Sequence, residues 1–154
     1  MAAVVVSLRV KATPAQAFAA FTEEIGQWWR PNVLFQLTPR GDGVLRFEPG
    51  PEGRLVTDLP NGKVFEIGRI MTWAPGEKLA FTWRQATFAS DQSTQVEVAF
   101  EPVGAETRIT ITHRGWDSVP QEHVARHGFP LGLFQQRQGE QWRAALHALA
   151  ARLA

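Results

Sequence analysis

The stretch Thr107-Arg-Ile-Thr-Ile-Thr-His113-Arg-Gly115-Trp116 constrains the fold most. Apolar and polar residues alternate in it with a period of two, the pattern of a strand with one buried and one wet face. It ends in a His-x-Gly-Trp corner and leads toward a helical tail. A second alternating stretch, Gln95-Val-Glu-Val-Ala-Phe-Glu101, precedes it, with Pro102-Val-Gly-Ala as the expected turn. The corner places an imidazole and an indole where sheet gives way to helix. A pocket between sheet and helix would open there.

The same alternation begins the chain. Val4, Val6, Leu8 and Val10 take one face of a first strand. Thr13-Pro14-Ala15-Gln16 then has the composition of a helix start: Thr13 caps, Pro14 suits the first helical position, and Gln16 completes a capping box. Ala17, Phe18, Phe21 and Ile25 fall on one helical face, and Gly26 is expected to end the run. Gln27-Trp28-Trp29-Arg30-Pro31 is expected to add a short helical turn stopped by its proline.

Hairpins follow. Strands are expected from Gly43 to Glu48 and from Arg54 to Thr57, separated by Pro49-Gly-Pro-Glu-Gly53. Asn61-Gly62 is expected to form a tight turn, both residues tolerating positive φ. A longer strand from Val64 to Trp73 turns at Ala74-Pro-Gly76 into Lys78-Leu-Ala-Phe-Thr-Trp83, and Arg84 to Ser93 is expected to be a loop. In the tail, Val119-Pro120 opens one helical segment and Gly128-Phe129-Pro130 interrupts it. From about Leu131 a long helix is expected, with Trp142, Ala145, Leu146, Leu149 and Leu153 on one face.

Strands flanked by helices mean α+β. The expected architecture is a curved antiparallel sheet wrapped around a long C-terminal helix, with two short helices after the first strand. No repeat or linker divides the chain, so residues 1–154 are expected to form one domain.

Composition excludes several function classes. No cysteine means no disulfide, thiol nucleophile or thiolate metal site. A net charge of +1 with scattered Lys and Arg gives no footprint for nucleic acid or an anionic membrane. Val4-Val5-Val6 is too short for a signal peptide, and no apolar run approaches a membrane span, so a cytoplasmic protein is expected. There is no nucleophile elbow and no phosphate-binding glycine loop. Glu23-Glu24, Asp91 and Asp117 are expected on solvated surface. His123 and His127 stand four apart, a spacing that suits zinc, but neither the metalloprotease pattern nor a third ligand accompanies them. No metal and no cofactor are expected.

The ordered set of motifs resembles a known family. Thr13-Pro-Ala-Gln-Ala-Phe18 with Phe21-Thr22, then Trp28-Trp29, Gly68-Arg-Ile-Met-Thr-Trp-Ala-Pro75, Lys78-Leu-Ala-Phe-Thr-Trp83, Thr94-x-Val96-x-Val98-x-Phe100, Gly104-Ala-Glu-Thr107 and His113-x-Gly-Trp116 occur in order over nearly the whole chain. They resemble the SRPBCC superfamily with its START-like helix-grip fold, and within it the branch of the activator of the heat-shock-protein-90 ATPase. Thr72 and Gly76 depart from that pattern, which often has an acidic residue and a second proline there. The resemblance implies a deep apolar cavity between sheet and C-terminal helix. Relatives bind lipids, hormones or polyketides, catalyse cyclisation, or bind a chaperone.

Three functional readings follow. The leading one is a non-catalytic protein binding an apolar small molecule. The alternatives are a chaperone-associated interaction protein and a small cyclase or hydrolase-like enzyme using His113; in each reading a monomer or homodimer is expected. The candidate lining is Trp28, Phe47, Trp73, Phe81, Trp83, Phe100, His113, Trp116 and Trp142. These rings could line a cavity or fill a core. The chain has ten Phe, six Trp and no Tyr, so His, Arg, Thr or indole N–H groups must supply any polar contact. His113 shares strand parity with Ile109 and Ile111 and points to the buried face. There it is a hydrogen-bonding group for a ligand, a general base, or a structural histidine holding the Gly115-Trp116 corner.

Overall fold

The structure, a computed structural model, describes residues 3–29, 43–84, 94–116 and 129–154. Seven strands form one antiparallel sheet: β1 Ala3–Val10, β2 Val44–Phe47, β3 Arg54–Asp58, β4 Val64–Ala74, β5 Lys78–Trp83, β6 Thr94–Val103 and β7 Glu106–Arg114. Their order across the sheet is β1-β7-β6-β5-β4-β3-β2. The helices are α1 Pro14–Glu23, α2 Ile25–Trp28 and α3 Leu131–Leu153. This is the expected helix-grip arrangement: two short helices after the first strand and a long C-terminal helix on a curled sheet.

The alternation places the core. Val4 faces His113, which faces Val96, which faces Phe81; one step along, Val6, Ile111, Val98 and Leu79 form the next row. All these side chains are buried. The sheet curls at β4. Pairing with β3 slips between Leu55 and Val56, and pairing with β5 slips between Ile70 and Thr72. In each case β4 carries one residue more than its partner, and such bulges bend a strand and raise its twist.

Thr13 caps α1 as the sequence implies. Its hydroxyl accepts from the Gln16 amide at 3.2 Å, and the Gln16 side chain accepts from the Thr13 amide at 3.0 Å. Gly26, expected to end the apolar run, lies inside α2; α1 ends at Glu23, and Ile25 begins the next helix. Across the face of α1, the Thr22 hydroxyl donates to the Phe18 carbonyl at 2.9 Å.

Two turns differ from expectation. Pro102 and Val103 belong to β6, and the turn is tighter, at Gly104 with φ 62°. β5 ends its pairing with β6 at the Lys78–Ala99 pair, so proline sits where no neighbour on that side needs its N–H. The β3–β4 connection spans more than Asn61-Gly62. Leu59 N–H donates to the Lys63 carbonyl at 2.8 Å, and Gly62 alone of that pair is a glycine at positive φ, 84°.

The long helix buries Phe134, Gln138, Gln141, Trp142, Ala145, Leu146 and Leu149, while Leu153 is half-buried. The sequence pattern identified this face from Trp142 onward but not its extension back to Phe134. At 23 residues α3 is about 35 Å long, enough to cross the sheet. No helix among the described residues is long and apolar enough to cross a membrane. The segment opened by Val119-Pro120 and the loop after Arg84, residues 85–93, lie outside the described residues.

Candidate functional site

Two places on the concave side of the sheet hold the candidate residues. The first is a packed aromatic cluster around His113. Trp29, Trp83 and Trp142 meet with centroids 5.0–5.6 Å apart. Trp116 lies 5.5 Å from His113 and 4.6 Å from Phe134. The corner thus brings its imidazole and indole together, as the His-x-Gly-Trp spacing implied. Gly115 makes the bend with φ 101°, a conformation that favours glycine.

His113 is fully buried in an otherwise apolar row, and both ring nitrogens are engaged. Trp142 Nε1 donates to Nδ1 at 3.0 Å. An indole N–H can only donate, so Nδ1 carries no proton and the neutral ring is protonated at Nε2. That nitrogen donates to Thr94 Oγ1 at 2.7 Å, and the Thr94 hydroxyl donates onward to the Trp83 carbonyl at 2.9 Å. Gln138 Nε2 approaches Nδ1 at 3.4 Å. Burial pushes the His113 pKa down to about 3. The ring is therefore neutral at physiological pH and committed to protein partners. This arrangement suits the structural reading of His113 better than proton transfer to a ligand.

The second place is a half-open groove of about 250 Å³ along α1. Helix α1 contributes Ala15, Phe18, Ala19, Thr22 and Glu23; β2 and its following turn contribute Phe47 and Pro49; β4 and its turn contribute Trp73 and Pro75. The Phe18 and Trp73 rings meet edge to face at 5.1 Å. Of the nine sequence candidates, Phe47 and Trp73 line this groove. Phe100 stands behind it, 5.3 Å from Phe18. Trp28 packs on Phe21 at 4.9 Å, and Phe81 bridges Phe47 and Trp83 at 5.3 and 6.3 Å. The sequence reading placed Phe18 only on a helix face, Thr22 only in the family motif and Glu23 only on solvated surface. Their i, i+4 and i, i+5 spacing with the small Ala15 and Ala19 was the available signal, since two alanines leave room beside the rings.

Among the described residues, no three His, Asp or Glu side chains converge to hold a metal ion. His123 and His127 lie outside the described residues, as do Asp91 and Asp117. Glu24 is ion-paired with Arg152 at 2.8 Å.

The family model for activator of Hsp90 ATPase homolog 1-like proteins matches residues 11–154. No curated protein matches significantly. Several solved structures do. An Hsp90 activator from Plasmodium falciparum superposes with a TM-score of 0.67 at 17% identity, over 98% of this chain and 95% of that one. The Aha1 dimer from Colwellia psychrerythraea gives 0.64 at 16% identity, over 99% and 96%. Both likenesses are of fold. The anthrahydroquino-γ-pyrone synthase Txn09 gives 0.57 at 27% identity, over 98% and 96%.

Proposed function

The chain belongs to the family of activator of Hsp90 ATPase homolog 1-like proteins, and we propose that within it this protein binds an apolar, aromatic small molecule in the groove beside α1. The observation that carries this reading is the groove itself, about 250 Å³ with three aromatic walls from three separate elements. Preformed small-molecule sites are mostly apolar with few polar groups. The likeness to Txn09, named as the synthase of a polycyclic aromatic, supports an aromatic ligand class. In this reading Phe47 and Trp73 touch the ligand. Phe100 backs Phe18, while Trp28, Phe81, Trp83, His113, Trp116 and Trp142 hold the wall behind.

The space admits a ligand of about two fused rings. Burying about 150–200 Å² of such a ligand supplies about 4–5 kcal/mol before association costs. Affinities in the millimolar range, reaching about 0.2 mM at the tightest, are therefore expected for simple aromatic probes. Titration with naphthalene-type ligands should quench tryptophan emission saturably and raise the melting temperature by mass action. Both responses should be lost in Trp73→Ala.

The interaction-protein reading has a different observation on its side. Val5, Val44, Val64 and Met71 are large apolar side chains left exposed on strands. If aromatic, fatty and steroid-like ligands all fail to bind, that reading takes precedence, and the family's description makes a chaperone the first partner to try.

A further inference from the structure

We infer that the groove beside α1 selects ligands that carry a positive charge next to their aromatic body, an inference that rests on the groove being a small-molecule site. Among the groove's lining residues one is charged, and it is an acid, Glu23. Glu23 is exposed and forms no ion pair with any described residue. Its neighbour Glu24 differs: Arg152 of α3 holds it through two guanidinium contacts at 2.8 and 2.9 Å. Arg152 is thus already committed, and it is committed to the other glutamate.

The helix adds to the same field. Glu23 is the last residue of α1, and no basic residue occupies the helix's last turn. The carbonyl end of a helix carries partial negative charge and favours cations. The Thr22 hydroxyl spends its proton on the Phe18 carbonyl and offers the groove only lone pairs. In the same groove stand the rings of Phe18, on the same helix, and of Phe47 and Trp73. Aromatic faces attract ammonium and guanidinium groups through the ring quadrupole, tryptophan most strongly. Carboxylate, helix terminus and ring faces therefore favour the same sign of charge. A protonated amine about one carbon from a two-ring body would place its rings among the aromatic walls and its charge toward Glu23.

The test compares 2-naphthylmethylammonium with neutral 2-naphthylmethanol by calorimetric titration at pH 7, in low and high salt. The ammonium is expected to bind about tenfold tighter at low salt, with the advantage shrinking as salt screens it. In Glu23→Gln the advantage of the ammonium over the alcohol should fall several-fold, the rings keeping a remainder, with the melting temperature preserved. Equal affinities in the unmodified protein, or an ammonium preference undiminished in Glu23→Gln, would overturn the inference. Failure of both probes to bind, or binding insensitive to Trp73→Ala, would remove the groove reading and this inference with it.

Discussion

Trp142 on α3 donates its indole N–H to Nδ1 of His113 on β7 at 3.0 Å, and this bond ties the long helix to the centre of the sheet. Because the indole cannot accept, the bond fixes the tautomer of His113 and so the direction of every later bond in the chain. The relay passes from Trp142 to His113 to Thr94 to the Trp83 carbonyl, joining α3, β7, β6 and β5. A buried polar group is costly unless its hydrogen-bonding capacity is met. The imidazole meets that condition only in its neutral form.

A pH dependence follows from that condition. The folded-state pKa of His113 is pushed down to about 3 from 6.5 by desolvation. Below pH 6.5 the unfolded chain therefore takes up a proton that the folded chain refuses. Stability is full above pH 6.5 and is lost as pH falls toward 3. Between pH 7.5 and pH 5 the loss should be roughly 2 kcal/mol. The acids Glu48 and Asp58, whose pKa values are lowered by hydrogen bonds to Arg54 and Arg46, lose their contributions only at lower pH. Urea denaturation at both pH values checks this. His113→Phe should be less stable at pH 7.5 but should flatten the slope; an unchanged slope would show that His113 is not its source.

Gln138 carries the opposite expectation. Its side chain is buried, its Nε2 approaches His113 Nδ1 only at 3.4 Å, and its Oε1 has no hydrogen-bond partner among the described residues. Replacing a half-satisfied buried amide with an apolar side chain of similar size is often neutral or stabilising. Trp142 still satisfies Nδ1 in the variant. Gln138→Leu is expected to change stability by between zero and about +1 kcal/mol, measured by chemical denaturation. A loss above about 1 kcal/mol would mean that the 3.4 Å contact matters more than its geometry implies.

These residues show what was legible in the sequence. The inward aim of His113 followed from parity with Ile109 and Ile111, because a strand leaves a side chain only two directions. Its partners did not follow. Thr94 lies just ahead of the alternation that marked the strand, and Gln138 is a polar residue on an apolar helical face, where pattern reading expects none. Phe134 was missed for the same reason, since Gln138 interrupts the stripe that links it to Trp142. The groove beside α1 was hidden for another cause. Phe18, Phe47 and Trp73 come from three elements, and no periodicity within one element reports how α1 crosses the sheet. The bulges of β4 that curl the sheet leave no alternation to read.

The helix face gives a direct test of the grip. Leu146 and Leu149 are fully buried between α3 and the sheet. Truncation removes apolar surface and leaves a cavity that neighbours fill only in part. Leu146→Ala and Leu149→Ala should each cost about 2–5 kcal/mol, read from denaturant midpoints at constant slope. A loss below about 0.5 kcal/mol at both positions would mean that this face is solvated and the helix does not clamp the sheet.

Gly68 tests the curl. It sits in β4 between the two register slips, and a Cβ added there would run into the Thr82 carbonyl of β5. The clash is with backbone, so no side-chain rotation relieves it. Around it, the Arg69 amide donates to Thr82 Oγ1 at 2.8 Å and the Arg84 amide to the Ile67 carbonyl at 2.9 Å. Making room would part β4 from β5 at the point where both contacts form. Overpacking against side chains typically costs about 1–3 kcal/mol, and a backbone clash belongs at or above the top of that range. Gly68→Ala is therefore expected to cost about 3 kcal/mol or more, and to speed amide exchange at Arg69 and Arg84 ahead of the rest of the sheet. Exposed Gly104, where nothing stands within 4 Å of an added Cβ, is the control. There alanine meets only the cost of positive φ, about 1–2 kcal/mol. Gly68 is not at positive φ, so a loss at position 68 no larger than that at Gly104 would show that β5 gives way to the added Cβ at little cost.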